Sequence, residues 1–142
     1  MVIKASKEEK ELKKQNMEEL YEYRKYLYEH PKLYHLFLEV TSRCNARCEH
    51  CGSSCGYEKP KNEISKEKLM ETLKEISEHY DASEILLNVT GGEPFLRKDL
   101  FEIMDYAVSL GFRWGITSNG ILIDAELVKK IVKSKMSTIS IS

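Results

Sequence analysis

All four cysteines of the chain lie in one short polar segment, at positions 44, 48, 51 and 55. A disulfide framework would distribute its cysteines so that they tie distant loops together. Crowding of this kind instead indicates metal ligation in a reducing compartment. The first three, Cys44, Cys48 and Cys51, have the spacing C-x3-C-x2-C. Three thiolates from one tight loop can hold three irons of a cubane cluster and leave the fourth iron open to an exchangeable partner.

Two other segments carry polar groups and glycines that could face a ligand. The first is Thr90-Gly91-Gly92-Glu93-Pro94 and the second is Thr117-Ser118-Asn119-Gly120. Two adjacent glycines let the backbone approach a ligand closely and adopt angles that other residues avoid. The second segment offers hydroxyl and amide groups ahead of a glycine turn. Each segment directly follows a predicted strand.

The elements that must position these groups alternate between strands and helices. Apolar or β-rich runs of strand length occur at 36–40, 85–89, 113–117 and 138–142, and segments with helical periodicity follow the first three. The alternation predicts an α/β fold whose strands are parallel and joined by right-handed crossovers. Because ligands bind at the carboxyl ends of such strands, the cysteine loop and both polar segments should converge on one site.

The helix signals in this region are specific enough to name residues. Ser65 and Asp124 are expected N-caps, and Gly111 is expected to close the helix between them. The apolar stripes predicted for the second and third of these helices are, in order, Leu96, Leu100, Ile103, Met104 and Ala107, then Leu127, Val128, Ile131 and Val132.

The first part of the chain, from Lys7 to Glu29, is charged and has the periodicity of one amphipathic helix. Its tyrosine-rich stripe is expected to pack as core. We therefore predict a helical extension at 1–33 and the main fold at 34–142. The chain has 142 residues, short for an α/β barrel of about 250, and it stops within a predicted strand. We expect it to be truncated and to self-associate through that strand edge.

The C-x3-C-x2-C loop after the first strand and the Gly-Gly-Glu-Pro turn after the second together resemble the radical SAM superfamily. The resemblance covers roughly Tyr34 to Ser142. It implies the N-terminal part of a partial (β/α)6 TIM-like barrel, with about four parallel strands and three helices after the N-terminal helix.

The resemblance also implies roles for individual residues. Cys44, Cys48 and Cys51 would ligate a four-iron four-sulfur cluster, and the remaining groups would contact S-adenosylmethionine. Among these groups, His50 would lie near the adenine. Gly91, Gly92 and Glu93 would bind the methionine amino group largely through backbone atoms, and Pro94 completes their motif. Ser118 and Asn119 would lie near the cofactor.

The reaction implied is reductive cleavage of S-adenosylmethionine to a 5′-deoxyadenosyl radical, which abstracts hydrogen from a substrate. A flavodoxin or ferredoxin would supply the electron. The stretch from Glu39 to Asn45 and the third strand end resemble the branch with a C-terminal cysteine-rich SPASM domain, which points to a peptide as one candidate substrate beside other small molecules. We expect this chain alone to be inactive, because later strands supply most substrate contacts in that superfamily.

Two other interpretations of the cysteine loop stay open. Cys55 could add a fourth thiolate and close the cluster, as in an iron–sulfur electron carrier. Zinc could instead staple the loop as a structural module, although structural zinc usually takes four ligands in two separated pairs. For Cys55 itself, a free thiol or a packing role is the favoured interpretation.

The bulk properties exclude some partners. Lys and Arg number 22 against 23 Asp and Glu, which gives a net charge of -1 and no general attraction to nucleic acid or to an anionic membrane. No apolar stretch approaches the roughly 20 residues that span a bilayer. We therefore expect a cytoplasmic protein with a small-molecule or peptide substrate.

Overall fold

The computed structural model describes residues 6–53, 55–56 and 62–142. It forms two compact units, one ending at Lys32 and the other spanning Leu33–Ser142. The first contains α1 (Lys7–Glu29). The second contains, in chain order, β1 (His35–Glu39), α2 (Lys66–His79), β2 (Leu86–Thr90), α3 (Leu100–Ser109), β3 (Arg113–Ser118), α4 (Ala125–Lys133) and β4 (Thr138–Ile141).

The four strands form one parallel sheet in the order β1-β2-β3-β4. Glu39 at the end of β1 pairs with Thr90 at the end of β2, and Ser118 at the end of β3 pairs with Ile141 of β4. The strands therefore end at one edge of the sheet. The predicted α/β class, strand number and parallel pairing are confirmed.

One face of the sheet carries the core. Leu87 and Val89 of β2 and Trp114 and Ile116 of β3 are buried with side chains of α2 and α3. On the opposite face Phe37 is 70% exposed. Side chains alternate between the two faces of a strand, so the helices can cover one face while the other stays open. Within the described part of the second unit, α2 and α3 pack on one face of the sheet, as expected for part of a (β/α) barrel.

The predicted helix ends are confirmed. The side chain of Ser65 accepts a hydrogen bond from the Lys68 backbone N–H, and Asp124 accepts one from Leu127 at 2.8 Å. Gly111 has φ of +102°, the left-handed conformation that ends a helix after its last turn. These caps fix where each helix starts and stops relative to the strand beside it.

Three predicted packing surfaces are wrong in detail. Leu96 lies outside α3, in a short 3-10 turn that begins at Pro94, because Arg97 has an extended backbone that interrupts the helix before it begins at Leu100. On α4 no residue is buried, and Val128 and Val132 are exposed. The tyrosine stripe of α1 is not core either, since no residue of that helix is buried.

No helix in the described part of the chain is both long enough and apolar enough to cross a membrane.

Leu87→Ala should lower the free energy of unfolding by about 2–5 kcal/mol, because Leu87 is fully buried at the centre of the sheet and its truncation leaves a cavity. Chemical denaturation measures this change. Val132→Ala, at a side chain 75% exposed, is the control and should leave stability unchanged. Equal effects of the two substitutions would contradict the core described here.

Candidate functional site

A cavity of about 380 Å³ lies at the carboxyl edge of the sheet. Three of its sides are formed by the loop after β1, the turn after β2 and the end of β3, and Ser142 after β4 lines it as well. The predicted site residues among its lining are Cys44, Cys48, His50, Cys51, Gly91, Gly92, Ser118 and Asn119, and Cys55 lines it as well. Glu93 and Pro94 are not part of the lining.

The cysteine loop presents its thiols unequally. Cys44 is only 9% exposed, whereas Cys48 and Cys51 are exposed. Backbone hydrogen bonds hold the loop, including one from the Cys44 N–H to the carbonyl of Gly56 at 2.7 Å. Within residues 6–53, 55–56 and 62–142, no three Cys, His, Asp or Glu side chains are grouped closely enough to hold a metal ion. The loop therefore presents separate thiols to the shared cavity.

The two glycines after β2 pack against the backbone that leads into the cysteine loop. The Gly92 N–H donates to the Thr41 carbonyl at 2.8 Å, and the Glu93 N–H donates to the Arg43 carbonyl at 2.7 Å. A Cβ on Gly91 or on Gly92 would lie 2.2 Å from one of these carbonyl oxygens. The glycines are needed for contact between two protein segments, in addition to the close ligand approach that their types predicted.

The carboxylate of Glu93 is fully buried and points into the protein. It accepts hydrogen bonds from the Ser118 hydroxyl at 3.0 and 3.1 Å, from the Asn119 backbone N–H at 2.8 Å and from the Phe95 N–H at 3.1 Å. Pro94 is also buried, where it starts the 3-10 turn. The Glu93 side chain thus joins the turn after β2 to the end of β3.

Asn119 connects β3 to the cysteine loop. Its side-chain amide donates to the Asn45 side-chain oxygen at 2.8 Å and lies 3.8 Å from the Cys44 sulfur. Its side-chain oxygen accepts a hydrogen bond from the Ile121 N–H at 3.0 Å. The side chain predicted to face the cofactor is therefore also bonded to the loop that carries the first cysteine.

Sequence reasoning missed two arginines that support the site. Arg97 is buried and donates to the Val40 carbonyl at 2.7 Å, just before the cysteine loop. It also pairs with Asp99 at 2.7 Å. Arg43 donates to the Leu96 carbonyl at 3.0 Å. A single arginine between motifs has no periodicity or spacing that would mark it in the sequence. The fold shows that Arg43 and Arg97 connect the segment after β1 to the segment after β2.

Cys55 lies beside the other cysteines without sharing their spacing. Burial raises the pKa of its thiol above the usual value, and the neighbouring Cys51 thiol raises it further. The group is therefore held in its neutral form more firmly than an exposed thiol would be.

The sequence of this chain is similar to those of known proteins. A sequence profile of the Radical SAM superfamily matches residues 38–142. Fe-coproporphyrin III synthase of Methanosarcina barkeri is 36% identical over 103 residues, which cover 72% of this chain and 25% of that protein. Mycofactocin maturase MftC of Mycolicibacterium smegmatis is 32% identical over 104 residues, which cover 73% and 26%. The chain spans about a quarter of the length of these relatives.

A solved structure shows the same fold. The crystal structure of Streptococcus suis SuiB bound to precursor peptide SuiA superposes with a TM-score of 0.61 at 19% sequence identity. The match covers 88% of this chain and 28% of that one.

Gly92→Ala should lower the free energy of unfolding by about 1–3 kcal/mol. The added Cβ would lie 2.2 Å from the Arg43 carbonyl oxygen and would push the turn after β2 away from the cysteine loop. Thermal and chemical unfolding measure the loss. Gly52→Ala in the same cysteine loop is the matched control, since no atom lies within 4 Å of its added Cβ. Wild-type stability of Gly92→Ala would show that the loops do not touch as described.

Glu93→Gln should cost about 1–3 kcal/mol of unfolding free energy, because an amide NH2 replaces one acceptor oxygen among donors that stay buried. Glu84→Gln, at an exposed residue outside the site, controls for loss of charge. If both substitutions are neutral, the Glu93 carboxylate does not join the two strand ends.

Proposed function

Because the chain belongs to the radical SAM superfamily, we propose that it forms the part of an enzyme that binds a four-iron four-sulfur cluster and S-adenosylmethionine. Cys44, Cys48 and Cys51 would hold the cluster. The whole protein would modify a peptide or a small molecule. The two relatives named above are an Fe-coproporphyrin III synthase and a mycofactocin maturase.

The convergence of three strand ends on one cavity is the observation that carries the proposal. Cys44, Cys48 and Cys51 line that cavity together with the Gly91-Gly92 turn and the Asn119 end of β3. Thiolates are the protein ligands of iron–sulfur clusters. The donor set therefore fits the cluster in chemistry.

The turn after β2 is suited to one class of ligand group. The Gly92 and Glu93 N–H groups are already bonded to the carbonyls of Thr41 and Arg43. A ligand at this turn would therefore be bound through carbonyl oxygens, which accept hydrogen bonds from an ammonium or amino group. The amino group of S-adenosylmethionine meets that requirement, and His50 in the cavity lining would hold its adenine.

When both groups are bound, the cluster supplies an electron and S-adenosylmethionine supplies the 5′-deoxyadenosyl radical that abstracts hydrogen. The contribution of this chain is to hold and orient them. Buried Cys44 fixes one corner of the site, Glu93 holds the β2 turn against β3, and Ser118 serves that contact through its hydroxyl. The reductant, a flavodoxin or ferredoxin, and self-association through β4 stay predictions.

Anaerobic reconstitution with iron and sulfide tests the assignment. The wild-type chain should take up a cluster whose electron paramagnetic resonance in the reduced state changes when S-adenosylmethionine is added, because an iron without a thiolate is open to the cofactor. Cys44→Ala, Cys48→Ala and Cys51→Ala should each lose the cluster. Iron and sulfide content are measured on the same samples.

Cys55→Ala is the control that separates the alternatives. We expect it to keep both the cluster and the response to S-adenosylmethionine. A cluster that disappears in Cys55→Ala would support a closed electron carrier instead. A wild-type signal that S-adenosylmethionine leaves unmoved, with the cluster kept in Cys55→Ala, would show that this chain by itself does not bind the cofactor. A colourless protein that binds one zinc ion would support the structural module.

A further inference from the structure

The sulfur of Cys44 differs from the other thiols in its surroundings. It accepts a hydrogen bond from the Ala46 backbone N–H at 3.4 Å, and the Asn119 side-chain amide lies 3.8 Å away. Both distances are within reach of a hydrogen bond to sulfur, whose radius exceeds that of oxygen. Cys44 is also the least exposed of the three cysteines. Protein N–H groups therefore surround its sulfur where water would surround an exposed thiol.

The Asn119 amide is held in place at three points. Its backbone N–H donates to the Glu93 carboxylate, its side-chain oxygen accepts from Ile121, and its side-chain NH2 donates to Asn45. Since Glu93 is fully buried and also bonded to Ser118, the anchor itself is fixed. A donor fixed in this way keeps its direction toward the cysteine sulfur without help from a ligand.

We propose that Asn119 sets the reduction potential of the cluster by donating a hydrogen bond from its side-chain amide to the sulfur of Cys44. The inference rests on the proposed function, because it requires a cluster on Cys44. Asn119 is then a positioning and tuning residue of the cluster, and its action does not require contact with S-adenosylmethionine.

The sign of the effect follows from electrostatics. A hydrogen bond to a ligand sulfur withdraws electron density from it and stabilises the more negative, reduced state of the cluster. Loss of the amide should therefore lower the potential and make reduction harder. The Ala46 donor belongs to the backbone, whereas the Asn119 donor belongs to a side chain. The Asn119 donor is therefore the one that a side-chain substitution removes.

Asn119→Ser is the variant that tests this inference. Serine is neutral, and its hydroxyl can still accept from the Ile121 N–H, but it is too short to reach Cys44. We expect reduction to be disfavoured by a factor of about three to ten, where tenfold corresponds to about 59 mV for a one-electron couple. The potential is measured by redox titration of the reconstituted cluster, followed by its absorption and electron paramagnetic resonance.

Asn119→Asp is the second variant, because it keeps the size and the acceptor oxygen while replacing the donor with negative charge. Its potential should fall further than that of Asn119→Ser, since the added charge also opposes reduction. If Asn119→Ser assembles no cluster, Asn119→Thr, which is neutral and also too short to reach Cys44, takes its place. Asn88→Ser on β2 is the matched control, since the Asn88 amide faces His35 instead of a cysteine. Its potential should equal that of the wild type.

The outcomes distinguish this inference from the proposed function. If the wild-type chain takes up no cluster, the proposed function fails and the inference fails with it. If the cluster assembles but Asn119→Ser has the wild-type potential, only the inference is overturned. An equal shift in Asn88→Ser would also overturn it, because the effect would then be unspecific.

Discussion

The buried carboxylate of Glu93 is the interaction on which the rest of the site depends. A carboxylate removed from water is costly unless its oxygens accept hydrogen bonds. Here the donors come from the 3-10 turn that follows and from two consecutive residues at the end of β3. Satisfying this one group therefore fixes the distance between the second and third strand ends. The turn that carries Gly91 and Gly92 cannot move without leaving those donors unpaired.

The first strand end is fixed by a different device. Gly92 and Glu93 donate their backbone N–H groups to the carbonyls of Thr41 and Arg43, which lie directly before Cys44. The two backbones can approach this closely because Gly91 and Gly92 carry no Cβ. The same short motif thus contacts the segment after β1 through its backbone N–H groups and contacts the end of β3 through the Glu93 side chain. Three strand ends are connected through the four residues from Gly91 to Pro94.

Much of the fold could be predicted because its signals are local. Strand positions, the Ser65 and Asp124 caps and the Gly111 helix end depend on neighbours in sequence. The caps and the helix end are confirmed, and each strand end lies within about one residue of its predicted place. The radical SAM assignment was predictable for the same reason, since its cysteine spacing lies within one loop. The exposure of Val128 and Val132 was not predictable, because periodicity shows that a helix has an apolar face but not what covers it. The inward direction of Glu93 depends on Ser118, which is distant in sequence.

The connection among the strand ends changes how substitutions in this motif should be interpreted. A glutamate that follows two glycines at a ligand site suggests direct contact with the ligand. In this chain its side chain is fully buried behind the cavity lining and accepts hydrogen bonds from Phe95, Ser118 and Asn119. Asn119, which it anchors, bonds to the cysteine loop. A defect at Glu93 would reach the cofactors through the geometry of Asn119 and Cys44. Loss of activity at this residue is therefore no measure of ligand contact unless cluster content and potential are determined on the same protein.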